Sequence, residues 1–113
     1  MPTVFERIVA REIPAAIVHE DEWIVAFRDI EPQAPFHVLV VPRTPIPRLR
    51  DAGPEEAGIL GRMLLVARKV ATEAGYDDVG FRCVLNDGPD AGQVVPHLHL
   101  HVLAGRGFGW PPG

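Results

Sequence analysis

The sequence has little cysteine: Cys83 is the one thiol among 113 residues. A single thiol cannot form an intramolecular disulfide, and no CxxC pair is present that would indicate a redox centre or a structural zinc site. This composition is typical of a reducing compartment, so we expect a cytoplasmic protein. The N-terminal segment 1–7 carries charge where a signal peptide needs an apolar core, and we therefore predict no secretory signal.

Blocks of basic residues and long apolar runs are also missing. The formal net charge is −4, with a pI near 5.7. A protein that binds a long nucleic acid needs a basic surface, so we expect no such partner. No apolar run approaches the ~18 residues of a membrane span, and we expect no membrane partner. The charge balance does not exclude a small anionic ligand, because a few local hydrogen-bond donors are enough to hold it.

The overall composition of the chain is that of one folded domain. Hydrophobic residues make up 47% of the chain and charged residues 23%, a balance that favours a compact protein over a disordered one. A short chain buries a smaller share of its surface than a larger domain does, so we expect a homodimer that completes the core. We predict a single domain over 1–104 and a tail rich in Gly and Pro over 105–113.

Two segments have helical features. Thr3 is a suitable N-cap for a short helix over 3–10. From Pro54 to Ala74 apolar residues recur at helical spacing, and Gly75 follows at the C′ position. The apolar stripe of this second helix comprises Ile59, Leu60, Met63, Leu64, Val66, Ala67 and Val70.

Apolar alternation predicts about five strands between and after these helices. The expected fold is therefore α+β: an antiparallel sheet of about five strands, covered on one face by the long helix, with the short helix at the N-terminus. The predicted strands are 16–19, 23–29, 37–41, 79–86 and 97–103.

Histidines occupy positions 97, 99 and 101, in strict alternation with apolar residues. A strand directs successive side chains to opposite faces, so all three imidazoles are expected on one face and Leu98, Leu100 and Val102 on the other. Imidazole titrates close to physiological pH and can act as nucleophile, proton carrier or metal ligand. The row therefore predicts a catalytic site or a zinc site.

The spacing of the three histidines and the loop before them help to distinguish a catalytic site from a zinc site. Zinc accepts three histidines with an open fourth position, but residues four apart on one strand are separated by roughly 13 Å. Phosphorus chemistry fits better, because glycines in the loop 87–92 can turn backbone N–H groups towards an anion. In this interpretation neutral His99 attacks phosphorus, and water then releases the product. Zinc binding and ordinary packing of the histidines stay open as alternatives.

The run from His97 to Leu103 matches the pattern His-φ-His-φ-His-φ-φ, where φ is apolar, and so resembles the histidine triad (HIT) family. Further stretches resemble the branch called histidine triad nucleotide-binding protein, and together they span nearly the whole chain. The resemblance implies a homodimer with a sheet continued across the two copies. It also implies a hydrolase of purine nucleoside phosphoramidates of the AMP-amine type, with a purine nucleotide of the AMP or GMP class as substrate. The matching stretches are 11–15, 26–30, 32–35 followed by His37, 92–93 and 110–113.

The resemblance also implies roles for individual residues. His99 would be the nucleophile that forms a nucleotidyl-histidine intermediate. His97 and His101 would orient the site and handle protons, and His37 would be a fourth associated histidine. Asp29 would bind the ribose hydroxyls. An apolar slot for the purine base would comprise Phe5, Ile8, Ile13, Phe27 and Ile30, and the phosphate would be held by Asn86, Gly92 and the backbone of Gln93 and Val94.

The sequence departs from the family pattern in two places, and other branches of the family have other functions. Both observations lead to further expectations. Val94 stands where this branch usually has serine or threonine, so a side-chain donor for the phosphate or the leaving group is missing. The cysteine-bearing N-terminus that binds zinc in some relatives is absent, and we predict no metal and no cofactor. Trp110 of the tail is expected near the site. Hydrolysis of dinucleoside polyphosphates, or nucleotide binding with incidental turnover, are the alternative functions.

Overall fold

The computed structural model of the protein describes residues 2–113. Two α-helices and five strands follow one another along this part of the chain, in the order that the sequence predicts. Short 3-10 helices over Leu49–Asp51 and Pro54–Glu56 precede the second α-helix. The elements are α1 (Val4–Val9), β1 (Ile17–Glu20), β2 (Ile24–Arg28), β3 (Phe36–Pro42), α2 (Ala57–Glu73), β4 (Arg82–Val84) and β5 (Leu100–Ala104).

The strands form one antiparallel sheet in the order β1-β2-β3-β5-β4. The β3–β5 pairing is the step that assembles the site, because it joins segments far apart in the sequence. It places His37 opposite Leu103 and Leu39 opposite His101. His37 and His101 are therefore diagonal neighbours on one face, close enough for their rings to touch.

Helix α2 packs on one face of this sheet. Its buried side chains are Met63, Val66, Ala67, Val70 and Ala71. They meet the apolar residues that alternate with the histidines, since Leu98, Leu100 and Val102 belong to the same core cluster. The predicted α+β fold with a helix-covered antiparallel sheet is confirmed, as is the predicted apolar face of the histidine run.

Helix α1 covers part of the opposite face. Thr3 and Glu6 form a capping box, in which each side chain accepts a hydrogen bond from the other residue's backbone N–H at 3.1 Å. This box satisfies N–H groups that the first turn of a helix leaves free. The helix buries Phe5 and Ile8 against a second cluster formed by Val25, Phe27, Leu39 and Val41.

Three predicted details differ from the structure. The histidine run is a strand only from Leu100 onwards, so the predicted start at 97 is wrong. The predicted strand 79–86 is shortened to Arg82–Val84, because Gly80 has φ of +97° and closes a turn onto Tyr76. Leu64 is 57% exposed and lies outside the packed face of α2.

The segment after Ala104 has neither helix nor strand. Hydrogen bonds hold it to the body, with Arg82 donating to the carbonyl of Gly109 at 3.0 Å and Arg106 donating to that of Gln33 at 3.1 Å. Among the helices of the described residues, none combines the length and apolar character needed to cross a bilayer.

Candidate active site

A pocket of about 470 Å³ opens on the α1 side of the sheet. Its inner wall is apolar, because α1 and the facing strands contribute aromatic and aliphatic side chains there. Its polar lining includes Asp29, Asn86, His99 and His101. Such a cavity suits a ligand that has a flat apolar part and a polar part.

His99 lies in this pocket with one ring nitrogen already engaged. Its Nδ1 is 2.7 Å from the carbonyl oxygen of His97. A carbonyl oxygen only accepts, so Nδ1 must carry the proton, and Nε2 keeps a free lone pair. Phe5 fixes the ring from the side, at 4.9 Å between ring centres in an edge-on contact. The ring is 7% exposed and presents an unprotonated nitrogen to the pocket.

His101 and His37 form a hydrogen-bonded pair whose direction follows from the backbone. The N–H of Gln33 donates to His37 Nδ1 at 3.0 Å, so the proton of neutral His37 lies on Nε2. His37 Nε2 is 2.9 Å from His101 Nδ1 and 3.5 Å from an Asp29 carboxylate oxygen. His37 therefore donates to His101, whose own proton is then on Nε2.

His97 is completely buried and lies outside the pocket. Its Nε2 donates to the carbonyl of Pro42 at 2.9 Å, while its Nδ1 has no hydrogen-bond partner. This bond ties the start of the histidine run to the end of β3. His97 thus supports His99 through position and through its backbone carbonyl, and its ring does not face the pocket.

Burial holds these histidines in their neutral form. Desolvation is the largest cause that lowers the pKa of His37, His97 and His99 below the usual 6.5. For His101, desolvation and then the charges of His99 and His37 lower the pKa to about 4. All four imidazoles are therefore uncharged at pH 7, which is the state a nucleophilic imidazole requires.

One group of side chains has the composition of a metal site. Ligand atoms of Asp29, His37 and His101 all lie within 4.8 Å of one another. A metal would need the lone pair of His37 Nε2, but the N–H of Gln33 already donates to Nδ1 and keeps the proton on Nε2. The hydrogen-bonded arrangement therefore opposes metal binding at this group.

The pocket brings together most of the residues that the sequence singles out for nucleotide binding. Gln93 lies outside it, and its side chain braces the loop by accepting from Gly88 N–H and donating to the carbonyls of Pro47 and Val95. Trp110 is 84% exposed and is not part of the lining within one chain, and its place near the site stays a prediction. The residues that do line the pocket are Phe5, Ile8, Ile13, Phe27, Asp29, Ile30, Asn86, Gly92, Val94, His99 and His101.

Sequence reasoning misses part of the lining. Leu39 lies in the pocket wall, and its signal is its position two residues after His37 on the same face of β3. Val4, Pro14, Ala15 and Val95 also contribute, without a comparable signal. The pair of Arg48 and Asp87, with N–O distances of 3.1 and 3.2 Å, anchors the loop before the histidines and is likewise missed.

Comparisons with known proteins agree with this geometry. The family model described as "HIT domain" matches residues 10–108 of this chain. An uncharacterized HIT-like protein of Synechocystis is 54% identical over 98% of this chain and 96% of its own length. A protein of Arabidopsis thaliana named adenylylsulfatase HINT1 is 46% identical over 99% of this chain and 77% of its own length. The crystal structure of a HIT family hydrolase from Legionella pneumophila superposes with a TM-score of 0.97 at 43% identity, covering 99% of this chain and all of that one.

Fold, site and comparisons together define a hydrolase whose pocket contains histidines. The chain belongs to the HIT family.

Proposed function

We propose that this protein hydrolyses purine nucleoside phosphoramidates of the AMP-amine type and releases the nucleoside monophosphate. The observation that carries the proposal is the tautomer of His99, whose Nδ1–H is held by a carbonyl so that Nε2 is free in the pocket. A neutral imidazole oriented in this way is an activated nucleophile for phosphorus.

The proposed reaction has two balanced steps. In the first, the His99 Nε2 lone pair forms a bond to phosphorus while the phosphorus–amine bond breaks, and the leaving nitrogen takes up one proton. In the second, a water oxygen forms a bond to phosphorus and loses one proton, while the phosphorus–Nε2 bond breaks and its electron pair returns to Nε2. The proton that water loses balances the one that the amine gained. The Nδ1–H bond to the His97 carbonyl stabilises the positive ring of the intermediate.

The pocket walls support this orientation of a nucleotide. Phe5 and Phe27 meet edge to face at 5.6 Å in the apolar part, where a purine would pack. The Asp29 carboxylate also lines the pocket, where it would accept from the ribose hydroxyls. Asn86, Gly92 and the backbone of Gln93 and Val94 would then hold the phosphate beside His99.

The scarcity of positive charge in the pocket favours phosphoramidates over dinucleoside polyphosphates. Arg28 is the one cationic residue among the lining residues of the described chain. Its guanidinium lies 5.8 Å from the ring centre of Phe36, which belongs to the core cluster on the α2 side. A phosphoramidate carries one negative charge, whereas a polyphosphate bridge carries several that need cationic partners. The name of the Arabidopsis relative, adenylylsulfatase, supports AMP as the transferred group.

The test is release of AMP from the purified protein. We expect AMP from adenosine 5′-phosphoramidate and from its N-alkyl derivatives, with much slower cleavage of diadenosine polyphosphates, measured by chromatography of the products. Faster cleavage of the polyphosphates would favour the alternative hydrolase. Tight binding of AMP without turnover of any phosphoramidate would favour a nucleotide-binding interaction protein.

We also propose that the protein is a homodimer that joins two sheets at β4. This strand pairs only with β5 within the described chain, which leaves one of its edges without a strand partner. An apolar groove of about 320 Å³ lies beside it, and the exposed Leu64 of α2 is part of its wall. A second copy would cover the groove and the β4 edge together. In that dimer, the position of Trp110 near an active site stays a prediction. The groove is lined by Leu49, Leu60, Met63, Leu64, Cys83, Leu85 and Leu100.

Adjacent leucines of α2 provide a matched test of this dimer. Leu64 is 57% exposed and lines the groove, whereas Leu65 is 55% exposed and lies on another face of α2. We expect Leu64→Asp to weaken the dimer by about 100-fold, because a buried carboxylate lacks a partner. Leu65→Asp should leave it intact in sedimentation velocity. Equal effects of the two substitutions, or a monomeric parent protein, would contradict the proposal.

A further inference from the structure

We infer that Val94 makes this enzyme selective for phosphoramidates whose leaving amine carries an uncharged apolar chain. The inference rests on the proposed function and adds to it the chemical class of the leaving group. Its starting observation is a valine that lines the pocket yet is 88% exposed.

The direction of the reaction determines what Val94 meets. A displacement at phosphorus places the leaving group on the side opposite the nucleophile, here His99. The proposed binding mode puts the base and ribose against α1 and Asp29, and the phosphate against the loop that contains Gly92 and Val94. The amine bonded to phosphorus then leaves beside this loop. The chain attached to the leaving nitrogen therefore passes over the Val94 side chain.

The loop holds Val94 in a fixed position. Gln93 beside it makes three hydrogen bonds through its side chain, to Gly88 N–H at 2.9 Å and to the carbonyls of Pro47 and Val95 at 2.7 and 3.0 Å. Val95 on the other side packs against the core cluster beneath α1. Val94 is thus presented to solvent between two anchored neighbours, and its methyl groups are available for contact without reordering of the loop.

The part of the pocket lining that comes from the segment between β4 and β5 carries no charge. None of the lining residues in the described chain carries a hydroxyl or an ammonium group. This segment contributes Asn86, Gly92, Val94 and Val95 to the lining, whereas the two pocket carboxylates, Asp29 and Glu31, follow β2. An apolar amine chain would remove Val94 surface from water, while a charged chain would gain no partner there and would stay hydrated.

The experiment compares three adenosine 5′-phosphoramidates that differ only in the amine: ammonia, n-hexylamine and 1,6-diaminohexane joined through one nitrogen. The two hexyl compounds match in length, and six carbons separate the far ammonium from the leaving nitrogen. For the parent protein we expect kcat/KM for the hexylamine compound to exceed that for the diamine compound by about fivefold, the size expected for partial burial of a few methylenes.

Substitution of Val94 should change this ratio in a defined direction. Val94→Thr keeps the shape and should reduce the ratio to about one, and Val94→Asp should reverse it to about one fifth by attracting the ammonium. The matched control is Val79→Thr, at a valine that is 82% exposed and outside the pocket, which should keep the parent ratio. Thermal melting of each variant confirms the fold.

The outcomes separate the inference from the proposed function. AMP release from all three compounds with a parent ratio near one, or with the same ratio in the Val94 variants, would overturn the role of Val94 and leave the proposed function standing. Failure of the parent protein to release AMP from any of the three compounds would remove both.

Discussion

Replacement of His99 by glycine is expected to lower kcat/KM for an adenosine phosphoramidate by about 10⁴-fold or more, because the substitution removes the attacking nitrogen. No second imidazole can take over. His101 Nδ1 accepts from His37, which leaves a protonated Nε2, and His97 is outside the pocket. The measurement is AMP release under conditions of excess enzyme, so that slow turnover is detected.

The glycine variant also allows a rescue experiment. Loss of the ring leaves a space beside Phe5, and added free imidazole should restore part of the activity by supplying the nucleophile from solution. A matched control is His19→Gly, since His19 pairs with Asp21 at 2.7 Å and lies outside the pocket. We expect this control to keep full activity. Substantial activity of the His99→Gly variant without added imidazole would rule out the proposed nucleophile.

Acidification from pH 7 to pH 4 is expected to destabilise the folded protein. His101 has a pKa of about 4 when folded and an ordinary value of 6.5. Between these values the unfolded chain binds the proton and the folded chain does not, so the free energy of unfolding falls as the pH decreases from 6.5 to 4. After a reduction for partial solvent exposure, His101 alone contributes about 2 kcal/mol of this loss.

His37, His97 and His99 add to the loss in the same direction, because burial lowers the pKa of each. The carboxyl of Asp87 has a pKa below its usual 3.8 because Arg48 donates hydrogen bonds to it, and it titrates beneath this pH window. Urea unfolding at half-unit steps of pH, followed by tryptophan fluorescence, measures the curve. In the His101→Gln variant, the free energy of unfolding should fall less steeply with decreasing pH. A free energy of unfolding that is constant from pH 7 to pH 4.5 would contradict the burial of neutral histidines.

Local patterns predict the helices and the faces of the strands well, because capping and alternation depend on neighbours in the sequence. Thr3 caps α1 as expected, and Gly75 ends the long helix with φ of +90°. The alternation from 97 to 102 correctly separates imidazoles from core residues even at 97–99, which lie before the start of β5. Periodicity does not reveal which residues of an extended run have a strand partner.

The start of β5 illustrates this limit. Leu100 pairs with Val40, and β3 ends two residues later at Pro42, which has no N–H to donate to a further rung of the sheet. The ring Nε2 of His97 instead donates to the carbonyl of Pro42, and the backbone N–H of Leu98 donates to the carbonyl of Ile46. The ladder therefore ends within the histidine run for a reason that lies on another strand.

The sequence by itself determines that three imidazoles share one face beside a glycine-containing loop, because the two-residue period of an extended chain is a local property. The tertiary structure decides the state of each ring. The carbonyl of His97 fixes the proton of His99, and the antiparallel pairing of β3 with β5 brings His37 to His101 across 64 positions of sequence. Proton positions depend on hydrogen-bond partners, and folding alone supplies partners that are distant in the chain.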